Sequence, residues 1–311
     1  MNYKHVYGPV PSRRLGRSLG VSPIPSKTCN YSCVYCQLGR TDHMTNTRQD
    51  FYKPTDILNE ILDAVKNNPK EIDYVTFVGE GEPTLFKSLG YLIRETKSRT
   101  GIPTAVITNG SLLYMEDVRE DLKEADVVLP SLDAADEETF KKINRPYPKI
   151  EYDMMVEGLK RFSKMRKGQL WVEVMLVRGI NDDEKQLRGI ADILEEIKPD
   201  RVYVNVPIRP PAEKWVKIPK EENLVKAHEI LHSYVIDVYE EGEFHIGDAN
   251  SFHEEIIKIC ERHPMREEQV ITLAKKFGFS TDKTLKEIES DPQIKVIEYN
   301  GKRFLFAKPT K

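Results

Sequence analysis

The sequence predicts an α/β fold, a partial (β/α)6 TIM-like barrel followed by a small C-terminal winged-helix domain. Strand-like and helix-like segments alternate from residue 54 to about residue 240, each strand-like run ends in polar or glycine residues, and the pattern changes after residue 250. Alternation of this kind is typical of a parallel sheet, and its regularity favours a barrel over a sandwich. We place the domain boundary near residue 250, which gives domains 1–250 and 251–311.

The alternation begins with the amphipathic segment PTDILNEILDAVKNN, whose residues Ile57, Leu58, Ile61, Leu62 and Val65 share one face of a helix. The run IDYVTFVGEGEP follows as a buried strand closed by glycine. Further strand-like runs are LGVSPIP before these segments, and TAVITNG, DVVLPSLDA, LWVEVMLVRG and RVYVNVP after them, which makes about six strand–helix units. In a parallel barrel the carboxyl ends of the strands form the active-site face.

The C-terminal segments have the order of a winged helix. Three helical stretches, FHEEIIKICERH, REEQVITLAKKFG and STDKTLKEIESD, precede a hairpin, KVIEYNGKRFLFA, with Asn300-Gly301 at its turn. The third helix carries two lysines against four acidic residues, a net charge of −2 over residues 281–291. Phosphates repel that surface, so we do not expect specific binding of duplex DNA. A protein or peptide partner remains open, as does RNA contact through Lys302 and Arg303.

Composition favours a globular protein in a reducing compartment. Of the 311 residues, 39% are hydrophobic and 31% are charged, and the net charge is −3. This balance allows a large core, and the net charge does not indicate a protein that binds nucleic acid through an overall positive charge. No apolar run resembles a signal peptide or approaches the length of a membrane span. We therefore expect a cytoplasmic protein without a membrane partner, in which thiols stay reduced.

Three of the four cysteines lie within eight positions, in KTCNYSCVYCQLG, at the spacing Cys29-x3-Cys33-x2-Cys36. An odd trio in a reducing compartment argues against disulfides. Zinc completed by His43 or Cys260 is an alternative, although zinc knuckles usually take two separated pairs of ligands. A [4Fe–4S] cluster explains the trio better, because three thiolates leave one of its irons open for a catalytic ligand. Cys260 itself follows apolar helix residues and is interpreted as a buried small hydrophobe.

The motif CxxxCxxC, with the aromatic Tyr35 before its last cysteine, resembles the radical S-adenosylmethionine (radical SAM) superfamily. The resemblance covers roughly residues 8 to 210, and GEGEP (79–83) ends the second predicted strand, where that superfamily carries its methionine-binding motif. Residues 8–39 are most similar to a subgroup related to the wyosine-forming tRNA enzymes. Archaeal wyosine synthases carry further cysteines for a second cluster, whereas this chain has only Cys260 left. One cluster is therefore expected.

The resemblance implies that a [4Fe–4S] cluster on Cys29, Cys33 and Cys36 reductively cleaves S-adenosylmethionine (SAM). The products are methionine and a 5′-deoxyadenosyl radical that abstracts hydrogen from a substrate. An electron donor of the flavodoxin or ferredoxin type is implied as well. The substrate is unassigned, with tRNA as the first candidate and a peptide or protein as the second.

Two other classes of function remain open. One is a DNA-binding regulator that carries a cluster or zinc, because a winged helix accompanies the cysteines. The other is a zinc peptidase, because HEILH (228–232) matches the HExxH pattern. Such a short pattern recurs by chance, and packing of the predicted apolar stripe Leu224, Ala227, Leu231 and Tyr234 also accounts for that helix.

The GEGEP segment supplies the first candidate contacts for SAM. The backbone carbonyls of Gly79, Glu80 and Gly81 and the carboxylate of Glu82 could accept hydrogen bonds from its amine. Glycine lets the backbone approach closely, and Pro83 fixes the turn that ends the strand. Glu80 could alternatively be a solvated surface residue.

The other strand ends supply further candidates. Ser131 and Asp133 form a short polar pair that suits the ribose hydroxyls, although capping a turn would use the same residue types. The remaining SAM candidates are Thr108, Asn109, Arg178 and Asn181, together with Tyr35 and the backbone of residues 204–206 for the adenine. Arg13, Arg14 and Arg17 could face an anionic substrate or form a solvated face.

Overall fold

The computed structural model describes residues 3–68, 72–234, 252–262 and 264–308. The strands of the main part are β1 (Val6–Ser12), β2 (Gly16–Val21), β3 (Thr28–Cys29), β4 (His43–Met44), β5 (Tyr74–Phe77), β6 (Thr104–Thr108), β7 (Val127–Pro130), β8 (Gln169–Met175) and β9 (Arg201–Asn205). The helices are α1 (Pro54–Asn67), α2 (Leu89–Thr100), α3 (Glu116–Leu122), α4 (Glu137–Ile143), α5 (Tyr152–Met165), α6 (Glu184–Ile197) and α7 (Glu221–Leu231).

These strands form one sheet in the order β1-β2-β5-β6-β7-β8-β9, with β3 and β4 as a separate short pair. Strands β2, β5, β6, β7, β8 and β9 run parallel, each beside its neighbour in sequence order. Strand β1 pairs with β2 in the antiparallel sense. The structure therefore confirms an α/β fold with a mixed, mostly parallel sheet.

Both faces of the parallel strands are buried. Val106, Val128 and Leu170 belong to a large core cluster that includes helix residues, whereas Leu129 and Trp171 belong to a second cluster. Alternate residues of a strand point to opposite faces, so a sheet covered on both sides has nearly continuous apolar strands. This packing explains why the strand runs were recognisable in the sequence.

Strand β1 and helix α4 are among the elements that were not predicted from the sequence. Strand β1 contains Gly8, Pro9 and Pro11, which interrupt a strand pattern, but β1 is an edge strand of the main sheet. Proline is tolerated there because an edge position does not need every backbone donor. Helix α4 has only seven residues, and the carboxylate of Asp136 caps it by accepting from the backbone N–H of Thr139 at 2.8 Å.

The C-terminal unit contains α8 (Phe252–Arg262), β10 (Met265–Arg266), α9 (Glu267–Lys276), α10 (Thr281–Ser290), β11 (Ile294–Tyr299) and β12 (Lys302–Ala307). Its strands pair in the order β10-β12-β11. The predicted hairpin turn is confirmed, with Asn300 and Gly301 at φ of 50° and 71° between paired Tyr299 and Lys302. The predicted domain boundary near residue 250 lies outside the described residues.

The C-terminal unit packs against the edges of the main sheet. Val10 of β1 belongs to the same buried cluster as Ile256 and Cys260 of α8. At the other edge, the hydroxyl of Tyr299 donates to the carbonyl of Pro207, shortly after β9, at 2.8 Å. Cys260 is 2% exposed, as expected of a small core residue. None of the helices in the described ranges has the length and apolar character needed to cross a membrane.

Candidate functional site

The cysteine loop packs against the GEGEP segment, backbone to backbone. The N–H of Lys27 donates to the carbonyl of Glu80 at 2.5 Å, and the N–H of Glu82 donates to the carbonyl of Thr28 at 3.2 Å. A Cβ added at Gly81 would lie 1.8 Å from that same carbonyl oxygen of Thr28. Only glycine permits this approach. The glycine predicted to bring backbone close to a ligand brings it close to the cysteine loop.

Two asparagine side chains donate hydrogen bonds to cysteine sulfurs. The amide nitrogen of Asn109 lies 3.7 Å from the sulfur of Cys29. The amide nitrogen of Asn144 lies 3.6 Å from the sulfur of Cys33. Hydrogen bonds to ligating sulfurs stabilise their negative charge and help to set the potential of a cluster.

Backbone groups also face the sulfurs. The N–H of Tyr31 donates to the sulfur of Cys29 at 3.4 Å. Burial raises the pKa of Cys36, and the backbone N–H groups of Leu38 and Gly39 act in the opposite direction. All three predicted ligands therefore lie on one loop whose surroundings offer N–H donors to sulfur.

Glu82 occupies a buried position between two strand ends. Its side chain is 2% exposed. One carboxylate oxygen accepts from the N–H of Thr84 at 3.0 Å and from the hydroxyls of Thr84 and Thr108, each at 2.6 Å. The other oxygen accepts from the N–H of Asn109 at 2.7 Å. Three protein donors thus converge on the first oxygen and one on the second, which keeps an acceptor site, and the bond to the second oxygen fixes Asn109 beside Cys29.

Asp133 occupies the equivalent position between β7 and β8. It is 2% exposed, and one oxygen accepts from the hydroxyl of Tyr35 at 2.5 Å and from the amide of Asn144 at 2.7 Å. The other oxygen accepts from the N–H of Met175 at 2.9 Å. Asp133 therefore orients both the aromatic residue of the cysteine motif and the asparagine that reaches Cys33.

Asn181 and Arg178, two further predicted residues that follow β8, lie in different surroundings. Asn181 is fully buried, and its amide nitrogen donates to the carbonyls of Asp133 and Met175, each at 2.8 Å. It ties the ends of β7 and β8 together. The guanidinium of Arg178 instead donates to the carbonyl of Ile218 at 2.7 Å in an exposed contact. The structure does not bring Arg178 into the buried network.

Three further predicted residues lie at the same edge of the sheet. The N–H of Ser131 donates to the carbonyl of Thr108 at 3.1 Å, which joins the ends of β7 and β6. A Cβ at Gly79 would lie 2.6 Å from the hydroxyl of Ser22, just after β2. Pro83 begins the short 3-10 turn Pro83–Leu85 that Glu82 caps.

Burial controls the ionisation of this region. Burial, and then the charge of Glu82, raise the pKa of Cys29 to about 12. Burial likewise raises the pKa of Cys33 and of Cys36. Burial also raises the pKa of Glu82 and of Asp133, while their hydrogen bonds act in the opposite direction. A bound metal centre would supply the positive charge that buried thiolates require.

The donor set suits a cluster bound by three cysteines. Three thiols from one loop, each facing N–H donors, match the ligands and the sulfur hydrogen bonds of an iron–sulfur site. Within the described part of the chain, no group of three His, Cys, Asp or Glu side chains is arranged to hold a metal ion. That finding concerns a single ion, whereas a four-iron cluster takes each thiolate on a different iron.

The HEILH segment has a different geometry from a zinc peptidase helix. Helix α7 ends at Leu231, and His232 follows it with φ of 47°. The Nδ1 atom of His228 lies 2.6 Å from the hydroxyl of Ser233. Ala227 and Leu231 are buried as predicted, but Tyr234 is 53% exposed. The predicted apolar stripe is therefore wrong at Tyr234, which lies beyond the end of the helix.

Several site residues were missed by sequence reasoning. Asn144 lies 111 positions after Cys33 in the chain, and no local pattern marks it. Asn30 is fully buried beside the cysteine it follows, and its side chain accepts from the amide of Asn109 at 2.8 Å. The buried Asn205, 7% exposed, has a side-chain oxygen without a hydrogen-bond partner among the described residues. Its position as the last residue of β9 is the sequence signal that could have identified it as a site residue.

Comparison with known proteins agrees with this geometry. The family model described as "Radical SAM superfamily" matches residues 24–188 of this chain. UPF0026 protein MJ1312 of Methanocaldococcus jannaschii is 40% identical over 306 residues, which cover 96% of this chain and 94% of the relative. A probable dual-specificity RNA methyltransferase RlmN of a Thermotoga species is 25% identical over 213 residues, covering 65% and 58% of the two chains.

A solved structure shows the same fold. Streptococcus suis SuiB, in a crystal structure with its precursor peptide SuiA, has a TM-score of 0.53 and is 19% identical, over 71% of this chain and 47% of SuiB. The matched family region includes the cysteine loop, both buried carboxylates and the asparagines at the sulfurs. The chain belongs to the radical SAM superfamily and, within it, to the UPF0026 proteins.

Proposed function

We propose that this protein is a radical SAM enzyme whose cysteine loop binds one [4Fe–4S] cluster and whose strand ends bind SAM. The observation that carries the proposal is the arrangement of Cys29, Cys33 and Cys36 beside two asparagines fixed by buried carboxylates. Cys29, Cys33 and Cys36 would hold the cluster, which would supply the electron for reductive cleavage of SAM into methionine and a 5′-deoxyadenosyl radical, and that radical would abstract hydrogen from the substrate.

The chain's own residues orient and enclose these groups. Glu82 and Asp133 hold the strand ends in place through protein donors. The predicted SAM contacts remain part of the proposal: the backbone of residues 79–81 for the amine, Ser131 for the ribose, and Tyr35 for the adenine. The second carboxylate oxygen of Glu82 accepts only one hydrogen bond from the protein, so Glu82 stays among the proposed contacts of the SAM amine, beside its role in positioning Asn109.

The finer architecture belongs to the same proposal. A mostly parallel sheet with strand-end loops on one side suits a partial barrel. The three helices and the hairpin after residue 251 suit a winged helix. The electron would come from a flavodoxin-type or ferredoxin-type donor in the reducing cytoplasm. Cys260 is the one cysteine of the sequence outside the loop, which favours a single cluster.

The substrate class is proposed from two observations. The RlmN relative is named as an RNA methyltransferase, and residues 8–39 resemble the wyosine-forming tRNA enzymes. SuiB, which shares only the fold, was solved with a precursor peptide. We therefore place RNA first and a peptide or protein second.

Iron analysis tests the cofactor assignment. Anaerobically purified protein should contain about four irons and matching sulfide per chain, and its electron paramagnetic resonance spectrum after reduction should change when SAM is added. A spectrum that ignores SAM, or a site filled with zinc in place of iron, would contradict the assignment. Zinc would instead favour the regulator or peptidase alternatives.

A further inference from the structure

The segment that follows β9 lies against the cysteine loop. The backbone N–H of Glu213 donates to the carbonyl of Val34 at 3.1 Å, and Val34 stands between the predicted ligands Cys33 and Cys36. Val216, 2% exposed, belongs to the same buried apolar cluster as Val34. The segment therefore contacts the loop through its backbone and through a side chain, although the two are far apart in the sequence.

Glu213 is a buried carboxylate that joins two arginines from different segments. It is 8% exposed. One of its oxygens accepts from the Nε atom of Arg40 at 2.9 Å and from the guanidinium of Arg145 at 2.5 Å. Its other oxygen accepts from Arg40 at 3.2 Å. Arg40 follows the cysteine loop and Arg145 follows α4, so these charge-assisted hydrogen bonds hold three segments of the chain together.

Arg145 directly follows Asn144, the residue that donates to the sulfur of Cys33. The φ angle of Arg145 is 47°, a left-handed conformation that is unfavourable for a residue with a Cβ. The N–H of Ser32 contacts the carbonyls of Asn144 and Arg145 at 3.0 and 3.2 Å. A strained turn persists only where its surroundings fix it, and the ion pair with Glu213 is one of the contacts that fix this turn against the cysteine loop.

The side chain of Asn144 depends on the position of that turn. Its amide nitrogen lies 3.6 Å from the sulfur of Cys33 and 2.7 Å from the carboxylate of Asp133. A cluster gains negative charge on reduction, so a hydrogen bond to a ligating sulfur stabilises the reduced state and raises the potential. A displaced turn would lengthen the contact with sulfur and lower the potential.

We propose that Glu213, through Arg145, positions Asn144 at the sulfur of Cys33 and thereby helps to set the reduction potential of the bound cluster. Glu213 is a positioning residue, because none of its described hydrogen bonds involves a cysteine sulfur. The inference rests on the proposed function, since it requires the cluster on the cysteine loop. It gives the segment after β9 a part in the redox chemistry that the cysteine spacing does not indicate.

Redox titration of the iron-loaded protein, followed by electron paramagnetic resonance, tests this role. R145Q removes the ion pair beside Asn144, so the reduction potential should fall. R40Q is the matched control. Both guanidinium groups contact the same oxygen of Glu213, so R40Q removes an equal charge from nearly the same place without releasing the turn at Asn144. We expect R145Q to lower the potential by more than R40Q does, and the excess should be about as large as the shift in N144A.

A double variant tests the link through Asn144. Residues that act as a unit have effects that are not additive. In an N144A background, R145Q should therefore shift the potential no further than R40Q does. In an E213Q background, R145Q and R40Q should give equal shifts, because Arg145 has lost the carboxylate through which it holds the turn.

Two results would overturn the inference: equal shifts in R145Q and R40Q on the wild-type background, or an undiminished effect of R145Q on the N144A background. If R145Q does not fold, R145K and R40K replace the pair. Both keep the charge and lose the planar fork, and only R145K should lower the potential; equal potentials in these two variants would overturn the inference as well. Wild-type protein without iron would instead overturn the proposed function.

Discussion

The cysteine loop and the core of the C-terminal unit surround their cysteines in different ways. In the loop, Cys29 and Cys33 accept hydrogen bonds from the amides of Asn109 and Asn144. Cys260 lies instead in a cluster of buried apolar side chains in the C-terminal unit. The first region suits sulfur atoms that act as ligands, whereas the second uses a thiol as a small apolar residue.

This difference separates a region that fixes its thiols from a core that only buries one. A cofactor loop needs its ligands held in one arrangement, and hydrogen bonds to the sulfurs and to the residues around them provide that. An apolar core needs only close packing. The following changes should therefore affect iron binding in the first region and leave it intact in the second.

Removal of one loop cysteine should have the largest effect. C33A should abolish iron binding, because a sulfur ligand that already accepts from Asn144 is lost. C260A is the control, since Cys260 lies in the core of the C-terminal unit, and it should retain the iron of the wild-type protein. Iron and sulfide analysis measures both, and loss of iron in C260A would contradict the site.

G81A should come next in size. Its Cβ would lie 1.8 Å from the carbonyl of Thr28, so we expect a loss of unfolding free energy of about 3 kcal/mol together with poor iron incorporation. Gly301 has a positive φ and nothing within 4 Å of an added Cβ. G301A should therefore cost only about 1 kcal/mol and leave iron content intact. Equal losses in the two variants would show that contact with the cysteine loop is unimportant.

Loss of a carboxylate should matter at the strand ends and not on the surface. D133N replaces an acceptor of three donors with a group that must itself donate, and should lower the unfolding free energy by roughly 1–3 kcal/mol. E184Q is the control, because Glu184 is 54% exposed and pairs with Arg188 on α6, and it should leave the unfolding free energy almost unchanged. Denaturant titration of both variants measures this, and equal losses would mean that the buried hydrogen bonds of Asp133 do not stabilise the site.

The smallest expected effect is on the potential of the cluster. N144A removes a donor to the sulfur of Cys33, so the reduction potential should fall by roughly 40 mV, the equivalent of a hydrogen bond of about 1 kcal/mol in a one-electron step. N46A is the control, because Asn46 hydrogen-bonds Asn30 and Tyr114 but no sulfur in the described contacts. A redox titration followed by electron paramagnetic resonance measures the reduction potential of both variants. Equal potentials in N144A and the wild-type protein would contradict a role for Asn144 in setting the potential of the cluster.

Sequence reasoning located the parts of the fold that depend on local pattern. Most of the parallel strands are short runs of buried side chains, as in β7 (Val127–Pro130), and the turn at Asn300-Gly301 needs two positive φ angles that these residues tolerate. Strand β1 was missed because Pro9 and Pro11 obscure its pattern, and only its edge position makes them acceptable.

The site was predictable as a set of residues but not as a network. The cysteine spacing and the strand-end positions identified Glu82 and Asp133, but not the protein donors that bind their carboxylates. The contacts of Asn144 with Cys33 and of Arg14 with Glu173 join residues far apart in the chain. Such contacts depend on sheet order and strand direction, which hydrophobic patterns do not specify.

Cleavage of SAM tests the central claim most directly. Anaerobic, iron-loaded protein should be mixed with SAM and a strong chemical reductant, and the products should be separated by chromatography. The account predicts equal amounts of 5′-deoxyadenosine and methionine, formed slowly without substrate and not formed by C33A. Iron-loaded wild-type protein that leaves SAM intact, or C33A protein that cleaves it as fast as wild type, would contradict the claim that this loop holds the catalytic cluster.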